Sequence, residues 1–164
     1  MELWDLYTEN RVKTGETHVR GNPLPKDRYH LVVNVWIKNS EGKYLISRRS
    51  KTRPKNPLMF ETVGGAALKG ENSIEAAIRE VKEELGIDLN IKSTNLIHSV
   101  VRKNLNSISD AFLFHYNGIV DLKNASTDEV ESVKWMTTDE IYELHKNGLL
   151  VNTLDYCFER VFGL

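Results

Sequence analysis

Cysteine is almost absent from this chain. Its 164 residues include one, Cys157, so no intramolecular disulfide can form. Cys157 falls on one helical face with Leu154, Phe158 and Val161, which predicts a helix over 151–162 and a thiol used for packing. Long apolar runs are also missing. No segment approaches the roughly 20 residues that span a bilayer, and the opening Met-Glu-Leu-Trp-Asp has neither the charged nor the apolar region of a secretory signal. A cytoplasmic location with no membrane partner is expected. Charge of one sign is not in excess, with 22 Lys and Arg against 23 Asp and Glu, so no basic field argues for nucleic acid. The five histidines, His18, His30, His98, His115 and His145, include no pair at the i, i+4 spacing of helical metal ligands.

The length suits one domain over 1–164, burying about 70% of the surface its unfolded form would expose. The order of elements reads as mixed α/β. Short strands are expected at 3–7 and 13–18 around a Gly15 turn. Residues 29–38 are rich in β-branched and aromatic side chains, and Asn39-Ser40-Glu41-Gly42 separates them from a second run at 43–49, which predicts a hairpin. Residues 50–59 combine Pro54 and Pro57 with Lys51, Arg53 and Lys55, and so read as a basic loop suited to drawing in an anion. Strands follow near 96–103, 109–117 and 131–136. Thr138-Asp139-Glu140 then opens another helix.

The most informative segment is 65–87, a glycine turn running into an amphipathic helix. Ile74, Ala77, Ile78, Val81 and Leu85 form its apolar stripe, and Gly86 is placed to end it as a left-handed cap. Glu80, Glu83 and Glu84 stand at i, i+3 and i+4, within about 100° of one another. A divalent cation would relieve their mutual repulsion. An isolated Glu-x-x-Glu-Glu is usually a solvated surface. Here it lies inside Gly65-x5-Glu71-x7-Arg79-Glu80-Val81-x-Glu83-Glu84-x-Gly86-Ile87. That string resembles the Nudix box at every defined position. Seven fixed residues at about one in fifteen each would match by chance on the order of once in a million such chains.

The resemblance to the Nudix superfamily continues through Arg48-Arg49, through Phe60-Glu61-Thr62-Val63-Gly64-Gly65, and through Glu131-x3-Trp135. One departure is Leu68, where many relatives carry a glutamate. The resemblance implies an α/β/α sandwich with a mixed sheet. It also implies a hydrolase that cleaves a diphosphate linked to another moiety, such as a nucleoside diphosphate derivative, using Mg²⁺ or Mn²⁺. Its catalytic set would be Arg79, Glu80, Glu83 and Glu84, with the three glutamates and a backbone carbonyl near Gly64 or Gly65 on the metal. Arg79 would orient Glu80, and Glu71, just before the helix, would support it. Arg49 and Glu61 are candidates for substrate contacts, and Glu129 and Glu131 lie where relatives place a further acidic group. The partner implied is a small-molecule diphosphate; a homodimer is left open.

Two alternatives follow from the same residues. The run from His30 to Ile37, followed by Gly42-x2-Leu45-x3-Arg49, is similar to the isopentenyl-diphosphate isomerase branch of the superfamily. Those isomerases use a Cys-Gly-His segment where this chain has Gly64-Gly65-Ala66, so the thiol and imidazole that the isomerisation needs are missing. A nucleotide-sensing domain without activity would be expected to lose box carboxylates, and none is lost here.

Overall fold

The computed structural model describes residues 1–164 as nine strands and three helices. At its centre is β3 (His30–Lys38), paired in parallel with β8 (Ser107–His115) on one edge and antiparallel with β6 (Val63–Ala66) on the other. β7 (Thr94–Arg102) extends the sheet antiparallel to β8. β4 (Tyr44–Arg49) pairs antiparallel with both β5 (Phe60–Glu61) and β9 (Val130–Met136). The result is the expected mixed sheet. β1 (Leu3–Tyr7) and β2 (Lys13–Val19) form a separate two-stranded sheet, tied to the start of β3 by reciprocal bonds between Tyr7 and Tyr29.

Period-two alternation in β3 divides the core into two layers. Leu31, Val33, Val35 and Ile37 face α1 (Ser73–Leu85), where they pack with Ala76, Ala77, Val81 and Leu85. Trp36 faces the other way, into a cluster with Ile141 of α2 (Thr138–Lys146) and with Leu154 and Cys157 near α3 (Cys157–Arg160). Helices therefore cover both faces of the sheet. Truncating a fully buried ring such as Phe114 to alanine would cost about 3–5 kcal/mol. α1 is framed by a reciprocal capping box between Asn72 and Glu75 and by Gly86 at φ 69°, as its sequence predicts. No helix is long and apolar enough to cross a membrane.

Two expectations are corrected. The hairpin of 29–38 with 43–49 is not a ladder, because β3 and β4 meet only at Lys38–Tyr44 and then part. Both edges of β3 are taken by β6 and β8, so β4 must find its own partners. Apolar patterning reports burial; it does not report which strand fills an edge. The helix over 151–162 is also broken, into a 3₁₀ turn at Asn152–Leu154 and the short α3. Leu154 and Cys157 are buried as expected, but Tyr156 also turns inward, where its hydroxyl accepts Trp36 Nε1–H at 2.9 Å and its ring stacks on His98. Residues 154, 156 and 157 cannot all face one side of a continuous α-helix.

Candidate active site

The site forms where α1 crosses β6. A Cβ added to Gly65 would collide with the Glu80 carboxylate, and one added to Gly64 would collide with the Val33 carbonyl. The glycine pair thus lets a carboxylate lie directly on a strand. Arg79 places all its N–H directions on acceptors. Nε and Nη2 grip Glu71 bidentately at 2.7 and 3.0 Å, Nη1 bridges Glu80 at 2.9 Å and Glu83 at 3.1 Å, and Nη2 also donates to the Ala66 carbonyl at 3.0 Å. The fork expected on Glu80 is therefore centred on Glu71. Burial works to raise the pKa of Glu71, but Arg79 and the Leu68 N–H outweigh it and hold the carboxyl below its usual value.

Glu84 has a different environment. Only 5% exposed, it has no hydrogen-bond donor and no ion-pair partner. Burial pushes its pKa up to about 9, and the neighbouring charges of Glu80, Glu129 and Glu61 add to the effect. Burial likewise raises Glu80, against the pull of Arg79. As placed, no three carboxylates converge on one point, because Arg79 draws Glu80 and Glu83 toward itself. The residues nonetheless fit a hard divalent cation. They offer an oxygen-only donor set around a buried carboxyl that lacks an ion-pair partner.

The flanking candidates divide. Arg49 Nη1 donates to Glu61, a half-buried carboxyl that burial raises, and Arg49 Nε holds the Lys55 carbonyl at 3.0 Å. Arg53 of the basic loop pairs with Glu129, whose backbone carbonyl accepts Ser50 N–H at 2.8 Å. Arg49, Glu61, Glu129 and the box carboxylates are thus brought together. Glu131 is not: it faces Arg48 at 3.6 Å, half exposed. Lys51 is exposed and unpaired.

Sequence reasoning places strands at 3–7 and 13–18, but the turn between them lies at 8–12 rather than at Gly15, which is inside β2, and the role of this hairpin was missed. The Leu3 carbonyl accepts Lys69 N–H at 2.7 Å, and Asp5 Oδ2 accepts Gly70 N–H at 2.8 Å while pairing with Lys13. These bonds fix the turn that presents Glu71 to Arg79. Arg11, at φ 64°, further pins the hairpin by a bidentate bond to buried Asp110 at 2.7 and 2.8 Å. Nothing local marks Asp5, because its partner lies 65 residues away.

Comparison with known proteins agrees with this geometry. The family model described as NUDIX domain matches residues 28–153. An uncharacterised Nudix hydrolase of Listeria innocua is 38% identical over 151 residues, covering 90% of this chain and 87% of that protein. An isopentenyl-diphosphate Delta-isomerase of Cutibacterium acnes is 27% identical, over 72% of this chain and 65% of the isomerase. The crystal structure of a Deinococcus radiodurans protein superposes with a TM-score of 0.74 at 25% identity, covering 92% of each chain. This chain belongs to the Nudix hydrolase family.

Proposed function

We propose that this pyrophosphohydrolase acts as one domain over 1–164, with Mg²⁺ or Mn²⁺ held by Glu80, Glu83, Glu84 and the Gly64 carbonyl, and cleaves a nucleoside diphosphate derivative or a related small metabolite. The observation that carries this reading is Glu84, a buried carboxyl with carboxylate neighbours and no ion-pair partner, on which Arg53 acts only as the weakest of the neighbouring charges. A bound divalent cation would neutralise phosphate oxygens and lower the pKa of water. The chain's own groups do the positioning. Arg79 fixes the helix face by holding Glu71 and orients Glu80 and Glu83, while Gly65 leaves room for Glu80 against β6. Arg49 and Glu61 stand beside the cluster as candidate substrate contacts, and Glu129 as a candidate acceptor for the proton of the attacking water.

Isomerase chemistry is not favoured. β6 presents Gly64 and Ala66 where a thiol and an imidazole would be needed, and Cys157 is buried in the layer away from α1. The test is a screen of diphosphate compounds for metal-dependent phosphate or phosphomonoester release. Activity should vanish in EDTA and return with Mg²⁺ or Mn²⁺; full turnover in chelator would sink the reading.

A further inference from the structure

β6, whose Gly65 lies against the Glu80 carboxylate of α1, also lines a cavity of about 470 Å³, within the size range of small-ligand sites. The N-terminal hairpin forms one wall of it. Trp4 comes from β1, Arg20 follows β2, His30 opens β3, Gly65 and Ala66 belong to β6, and Lys55 comes from the basic loop. Lys55 is held in register with the carboxylate cluster, since Arg49 bonds its carbonyl and Glu61 together. The cavity therefore adjoins the proposed diphosphate site on two sides.

Its chemistry is one-sided. Two cations line it and no carboxylate does. Lys55 has no ion-pair partner, and Arg20 pairs only with Glu2, both about half exposed, an arrangement that a bound anion can displace at small cost. Trp4 lays a ring face on His30 at 4.3 Å and 9°, so that face is closed to a stacking base, and its indole N–H has no acceptor. Around the box the field is negative; here it is positive. A substrate with a second negative group would be repelled from the glutamates and accommodated by Arg20 and Lys55.

We propose that this cavity receives the group attached to the diphosphate, and that it selects a group bearing its own anion, phosphate or carboxylate, through Arg20 and Lys55. This rests on the hydrolase reading above for the position of the diphosphate. The test measures binding rather than turnover, by calorimetry of the full chain with Ca²⁺ replacing Mg²⁺, so that its failure is separable from a failure to find hydrolysis. Two matched pairs serve as probes. UDP-glucuronate against UDP-glucose isolates a carboxylate, and ADP-ribose 2′-phosphate against ADP-ribose isolates a phosphate. The charged member of at least one pair should bind about fivefold tighter at low salt, as expected for exposed charge pairs, and the preference should shrink as salt rises. Which pair responds identifies the anion. In the double variant Arg20→Ala, Lys55→Ala, both surface positions that should leave folding intact, the preference should disappear. Equal binding within both pairs, no binding of any of the four, or a preference that survives the double variant would each overturn the proposal.

Discussion

Arg79 serves three carboxylates at once, whereas Glu84, farther along the same helix, has no ion-pair partner. The two halves of the cluster share residue type and meet on α1, yet they differ in burial and in electrostatic completeness. Around Arg79 each carboxylate has a donor and the geometry holds itself. Around Glu84, burial and the nearby Glu61 and Glu129 oppose ionisation, so the carboxyl gives up its proton only at a cost. One half is finished by the chain. The other half needs something brought from outside, and for a pyrophosphohydrolase that is where the chemistry should concentrate.

The sharpest way to break this contrast is Glu84→Gln, set beside Glu83→Gln. Both should reduce turnover by about a hundredfold or more, because each removes charge from a proposed metal ligand while preserving shape. Only Glu84→Gln should stabilise the metal-free protein at neutral pH, by about 1–3 kcal/mol, because the amide folds without the proton uptake that burial imposes on Glu84, or about 3–10 °C in Tm. If calorimetry showed no rise for Glu84→Gln, or the same rise for both, the division into finished and unfinished halves would be wrong.

A second effect is a pH window. A carboxyl whose pKa is higher in the folded state than in the unfolded chain favours folding fully below its unfolded value, and that contribution is lost as pH rises through the folded one. For Glu84 this runs from the ordinary glutamate value of 4.5 to about 9. Metal-free protein should therefore lose stability between those limits, by several degrees in Tm. Added Mg²⁺ should restore most of it by binding the folded state. A flat Tm across that range in EDTA would contradict the assignment.

The smallest effect tests the balanced half from a distance. Asp5→Ala removes the acceptor for Gly70 N–H and loosens the turn that presents Glu71. The Mg²⁺ concentration for half-maximal activity should rise about three- to tenfold while Tm falls by only a few degrees. An unchanged Mg²⁺ titration would reduce Asp5 to a hairpin ion pair.

What the sequence disclosed follows the reach of its patterns. α1, its caps and its carboxylate face are written in consecutive residues, so period and spacing sufficed. The basic loop was also legible, though its members diverge: Arg53 turns to Glu129, Lys55 to the cavity and Lys51 to solvent. Glu129 and Glu131 looked equivalent because they are two apart. The register shift between Arg48 and Arg49 at the start of β9 separates them, leaving Glu129 with the cluster and Glu131 with Arg48. The roles of Asp5, Arg20 and Trp4 depend on contacts made only after the chain has folded back, and no local rule encodes them.

The parting of β3 from β4 also governs how the molecule can be made. Synthesis delivers α1 before β8, the strand that completes β3, and before β9, the strand that completes β4. A nascent chain that has released only its first hundred residues has the full box but no finished sheet to bury it on. Glu84 is then in water with ordinary acidity, and Glu129 has not been synthesised. The sheet that buries Glu84 is thus completed only in the last third of translation.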